Sequence, residues 1–155
     1  MRPMADQAIE RTTIDAAPER CFEVALDFER YPEWADDIKE VRVLRHDDDG
    51  RGGEVHYRAA AMGRSTSYTL RYYYGTNPLR LAWWLVQGDL IQRMDGSYLF
   101  EPVPGAPDKT DLTYQLSVDL RVPLPGFVKR RAEAKIMHTA LDELRIRVET
   151  APLAE

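Results

Sequence analysis

Apolar and polar positions alternate with the period of a β-strand through most of the chain, and with the period of a helix at its end. Residues 8–14 (AIERTTI) predict a first strand. Asp15 or a neighbour is placed to cap a helix with Pro18 in its first turn, where the missing N–H costs nothing. Cys21, Phe22, Ala25 and Leu26 give that helix one apolar face as far as about Asp27. Pro32 interrupts Phe28 to Trp34 (FERYPEW) and predicts a second short helix or turn.

From Ile38 onward the strands can be registered against one another. A short hairpin turn fixes which residues share a face. With Thr76-Asn77 as a turn, Tyr72 opposes Leu81, Leu70 opposes Trp83 and Tyr68 opposes Leu85. With Gly88-Asp89 as the next, Trp83 opposes Met94 and Leu81 opposes Gly96. Gly63-Arg64 pairs Tyr57 with Leu70 and Ala59 with Tyr68. Turns chosen for Gly, Asn and Asp chemistry thus put the apolar sets of four strands on one face. Val41 and Val43 extend it on one side, and Leu112, Tyr114, Leu116, Val118 and Leu120 on the other. The opposite face carries Glu54, His56, Arg58, Arg71, Arg80, Arg93, Asp95, Glu101, Gln115 and Asp119, as expected of a sheet wet on one side. Tyr73 and Trp84 fall on that polar face.

The cover for the apolar face comes from the chain end. After the Pro123-Leu124-Pro125-Gly126 break, Phe127, Ala134, Met137, Leu141, Leu144 and Val148 mark one face of a helix over residues 127–149. At about 1.5 Å per residue it runs roughly 33 Å, enough to cross about six strands spaced about 4.8 Å apart. The expected architecture is α+β: a curved antiparallel sheet of six or seven strands wrapped around a long C-terminal helix, with two short helices after the first strand. One domain spans residues 1–155, with residues 1–6 as an extension and 150–155 as a tail.

Composition narrows the function. The 155 residues are 44% hydrophobic and 30% charged, with net charge −5 and pI near 5.3. That balance argues against general nucleic-acid binding, which needs a basic face. The basic cluster Lys129-Arg130-Arg131, with Glu133 close by, reads as a solvated helix face. Cys21 is the single cysteine, so no intramolecular disulfide forms, and its apolar setting points to a small buried hydrophobe. No apolar leader and no stretch of about 18 apolar residues is present, so a cytoplasmic protein without stable membrane insertion is expected.

Residues 14–44 resemble the opening of the START-like (SRPBCC) superfamily, and within it the polyketide cyclase/dehydrase-like branch that takes in coenzyme-Q-binding proteins. The carrying residues are Ile14, Ala17-Pro18-Glu19, Asp27 and Tyr31-Pro32-Glu33-Trp34, together with the proline and glycine before one long final helix. The resemblance implies a helix-grip fold whose members hold lipids, sterols, hormones, quinones or polyketides between sheet and helix, some of them catalysing cyclisation or dehydration. These are scaffold residues, so the motif is specific for fold and weak for activity.

The expected cavity face holds Tyr57, Ala59, Tyr68, Leu70, Tyr72, Trp83, Met94, Tyr98, Phe100, Tyr114 and Leu116, with Phe127, Ala134 and His138 from the helix and Trp34 as a lid contact or a plug. Ala59, Ala61 and Gly96 leave room, either as a hollow or as interlocking packing. Five tyrosine hydroxyls in an apolar wall suit an aromatic or polyketide-like ligand. No strand points a charged side chain inward, so any general acid or base comes from a helix or loop, and His138 is the candidate. His46, His56, His138 and the lone cysteine offer no metal spacing, Asp47–Asp49 reads as a solvated turn, and no cofactor motif is present.

The function expected first is binding or carriage of a hydrophobic small molecule of lipid, polyketide, quinone or aromatic type. The alternatives are an aromatase/cyclase-type enzyme using the same cavity, and a protein-interaction module contacting partners through Tyr73 and Trp84. A monomer or weak homodimer is expected.

Overall fold

In a computed structural model, residues 7–61 and 63–150 are described; the expected extension at 1–6 and nearly all of the tail lie outside them. Seven strands form one antiparallel sheet: β1 (Ala8–Ile14), β2 (Ile38–His46), β3 (Gly52–Ala61), β4 (Arg64–Thr76), β5 (Leu79–Gly88), β6 (Ile91–Val103) and β7 (Ala106–Leu120). Their order is β1-β7-β6-β5-β4-β3-β2, so the N-terminal strand pairs with the last one and β2 forms the far edge. Helix α1 (Pro18–Leu26) and a 3-10 turn (Phe28–Glu33) link the two edges, and α2 (Gly126–Thr150) closes the chain.

Local chemistry sets most of these boundaries. Pro18 opens α1, but Asp15 does not cap it: the N-cap is Ala17, without a side-chain bond, and the Asp15 amide donates to Glu149 on α2 at 2.9 Å. Pro32 confines residues 28–33 to a 3-10 turn. Gly50, Gly63 and Gly105 close hairpins with positive φ.

All three expected hairpin registers are displaced by two residues. Tyr72 pairs with Trp83 and Leu70 with Leu85; Trp83 pairs with Gly96 and Leu81 with Tyr98; Tyr57 pairs with Tyr68 and Ala59 with Thr66. Each turn centre sits one residue away from the position chosen by turn chemistry, and moving a turn by one moves the pairing by two. Side chains alternate with period two, so every residue stays on its expected face.

Helix α2 packs its bulkiest stripe, Met137, Leu141, Leu144 and Val148, into the core. Its backbone comes close to β1, β7 and α1 and stands further from β3–β6. That offset leaves a hollow between helix and sheet. The convex face is polar, with Arg71 and Arg45 on Glu54 and Arg93 on Asp119. Tyr73 and Trp84 stack there at 4.0 Å and are exposed.

Candidate functional site

The hollow is a cavity of about 940 Å³. Its floor is the concave face of β3–β7, and one wall is Tyr31, Trp34 and Ala35. The roof is one flank of α2, with Ala132, Ile136, Thr139, Ala140 and Glu143. Trp34, Tyr57, Ala59, Tyr68, Leu70, Tyr72, Trp83, Met94, Tyr98, Tyr114 and Leu116 all line it.

Three expected helix contributors do not. Phe127 is 60% exposed at the start of α2. Ala134 is half-buried off the lining, and His138 is exposed. His138 lies two positions from Ile136, roughly 200° around the helix, so a cavity-facing Ile136 turns the imidazole away. The stripe that was expected to face the cavity is the one that packs shut, because bulky side chains fill space. The flank left facing the hollow carries Ala132, Thr139 and Ala140 beside Ile136 and Glu143.

At Gly96 the second of the two expected readings, interlocking packing, holds. A Cβ there would lie 2.4 Å from Cζ2 of Trp83, so the space opposite this glycine is taken by the indole and is not part of the hollow. Trp83 in turn meets Tyr98 and Tyr114 edge-on, at 5.1 and 5.7 Å between centroids. Tyr57 stacks on Tyr68 at 5.3 Å, and Tyr31 meets Trp34 at 5.0 Å. The aromatic groups form a continuous lining, each ring held by another.

The hydroxyls divide into two sets. Those of Tyr57 and Tyr72 bond each other at 2.5 Å, and Tyr31 donates to the carbonyl of Ala25 at 2.5 Å. Among the described residues, the hydroxyls of Tyr68, Tyr98 and Tyr114 have no hydrogen-bond partner, although Tyr114 is 95% buried and lines the cavity. Burial raises the pKa of all six. They stay protonated at neutral pH and act as neutral donors, not as phenolate bases.

Ionisable groups reach the lining from α2 and from the loop at Asp37, and also from the strands through Arg93 and Asp119, where none was expected. Glu143 lines the cavity, accepts the Asp36 amide at 3.1 Å, and has its pKa raised by burial and then by Asp36, Asp37 and Asp142. Glu133 is buried and accepts the Val118 amide at 2.8 Å. Lys129 bridges Asp119 at 3.1 Å and Glu133 at 3.7 Å, fastening the first turns of α2 to β7. Glu143 was not expected at the cavity, since nothing in the residue pattern tells which flank of α2 is lifted from the sheet, and neither was Tyr31, which reaches it from the 3-10 turn. Two alanines eight apart, Ala132 and Ala140, on the flank of α2 away from its bulky stripe were the available signal. No group of metal ligands occurs among the described residues, and no helix among them is long and apolar enough to cross a membrane.

A curved sheet gripping a long helix around an aromatic-lined cavity defines a helix-grip, START-like protein. A family model described as polyketide cyclase / dehydrase and lipid transport matches residues 6–149, and the chain belongs to that family. A START superfamily protein from Mycobacterium smegmatis is similar at TM-score 0.88 and 25% identity, over 94% of this chain and 99% of that one. The fold is shared with the Zhui aromatase/cyclase from Streptomyces sp. R1128, at TM-score 0.73 and 16% identity over 96% and 98% of the chains. It is also shared with a STAR-related lipid transfer protein from Xanthomonas axonopodis, at TM-score 0.70 and 18% identity over 92% and 85%. No curated protein sequence matches the chain.

Proposed function

We propose that the protein binds and carries a neutral, largely apolar small molecule that accepts hydrogen bonds, held between the sheet and α2. The observation that carries this is the combination of a 940 Å³ hollow with three tyrosine hydroxyls lacking partners among the described residues. These hydroxyls open onto the hollow and are not sealed in the core, so a carbonyl or hydroxyl of a ligand is placed to take up their bonds. The volume suits a ligand of several fused rings or a long acyl chain. The names of the similar structures, an aromatase/cyclase and a lipid transfer protein, fall within that range.

Native mass spectrometry of the protein as isolated, with a fluorescence titration by the neutral probe N-phenylnaphthylamine, tests the proposal. One bound molecule per chain is expected, displaced by the native ligand and lost in Ala140→Phe, which grows a ring into the hollow. Failure of the folded protein to take up any probe would refute it.

One observation favours a second, enzymatic reading. The Glu143 carboxyl lies on the cavity wall with a raised pKa, and its charge acts on Tyr98. A carboxyl poised in this way suits proton transfer to a bound polyketide-like carbonyl. Turnover of a polyketide surrogate that disappears in Glu143→Gln, with ligand uptake intact, would support it over simple carriage.

A further inference from the structure

The first turns of α2 and the loop before them expose apolar side chains beside the cavity mouth. Val122 is 63% exposed, Phe127 60% and Ile136 44%. Pro123, Leu124 and Ile136 also line the cavity, so these exposed groups lie along or next to its rim. The charge around them runs against the rest of the chain. Residues 121–138 hold five cations and one carboxylate, a net +4, which leaves −9 on the remainder.

Two of those cations are engaged: Lys129 with Asp119 and Glu133, and Arg121 with the Gly88 and Asp89 carbonyls. Arg130, Arg131 and Lys135 are exposed and form no ion pair among the described residues. Three exposed cations without an ion pair among the described residues, beside an exposed phenylalanine and isoleucine, point to an external partner that is anionic and apolar.

We infer that the Arg121–His138 segment docks on the surface of an anionic lipid bilayer, with Val122 and Phe127 entering the headgroup region and Arg130, Arg131 and Lys135 meeting lipid phosphates. Ile136 and Leu124 then set the cavity mouth towards the membrane, and an apolar ligand passes between bilayer and cavity without crossing water. The inference rests on the carrier function proposed above for its purpose, but not for its measurement. An acidic protein face would satisfy the cations equally, yet it gives no reason for a phenylalanine and an isoleucine at the rim of an apolar cavity.

Co-sedimentation with phosphatidylcholine vesicles, with and without phosphatidylglycerol, is the test. The full-length protein should partition onto the phosphatidylglycerol vesicles, and high salt should release it. Each juxtamembrane cation contributes about fivefold, so Arg130→Gln/Arg131→Gln/Lys135→Gln should lose roughly 100-fold in partitioning. Phe127→Ser should lose about tenfold. These side chains are exposed, so circular dichroism should match the parent protein. No partitioning, equal partitioning onto neutral vesicles, or a triple variant that partitions like the parent would overturn the inference. Uptake of N-phenylnaphthylamine without vesicles, measured in parallel, should be unchanged in Phe127→Ser and in Arg130→Gln/Arg131→Gln, whose residues lie off the cavity lining. Its absence in the parent protein would refute the carrier function and leave the vesicle result standing.

Discussion

Replacing Gly96 with alanine asks whether Trp83 is held as the structure places it. The added Cβ would lie 2.4, 2.5 and 2.6 Å from Cζ2, Cε2 and Nε1 of the indole, closer than carbon atoms tolerate. The ring has little room to yield on its own level, because Tyr72, Tyr98 and Tyr114 contact it and only 6% of Trp83 is exposed. It must tilt into the cavity or push the strands apart. Overpacking of this kind costs about 1–3 kcal/mol. Alanine's better strand entropy returns at most about 1 kcal/mol, so the net effect remains destabilising. At about 3 °C per kcal/mol for a domain of this length, a net cost of about 1–2 kcal/mol lowers the melting temperature by about 3–6 °C. Thermal unfolding by circular dichroism measures it, and the tryptophan emission of the folded protein should shift. Gly96→Ala/Trp83→Phe should recover most of the loss, since the smaller ring vacates the contact. A single variant with unchanged melting temperature and emission would refute the placement of the indole over Gly96.

Tyr57→Phe strips Tyr72 of its hydroxyl partner and should cost about 1–2 kcal/mol in denaturant unfolding, whereas Tyr57→Phe/Tyr72→Phe should cost less than the single change, because no orphaned hydroxyl remains. The Glu143 carboxyl has a raised pKa in the folded protein, so the folded state holds its proton more tightly than the unfolded chain does. Its contribution is favourable below the ordinary value of 4.5 and is lost as pH rises through the folded pKa. Glu143→Gln should therefore match the parent in acid and melt higher at neutral pH, and a neutral-pH melting temperature equal to or below the parent's would refute the burial of this charge. His138→Ala should leave probe affinity unchanged, because the imidazole is exposed on the far side of α2; a severalfold loss would place it in the cavity after all.

The sequence alone determined which residues share a face. Alternation with period two is a local property, so Tyr57, Tyr72, Trp83 and Tyr114 could be grouped even though each hairpin register was displaced by two residues. The same local logic placed Pro18 and Pro32 and the loops at Gly50 and Gly105, while the other three hairpin turns sat one residue from their expected centres. Only the tertiary structure decided where the hollow is. Its position depends on how α2 sits across seven strands, a distance relation between elements far apart in the chain that no local period encodes. Packing Met137, Leu141 and Leu144 down beside β1 and β7 lifted the Ala132–Glu143 flank away from β3–β6. That single offset brought Glu143 to the cavity wall and left His138 in solvent.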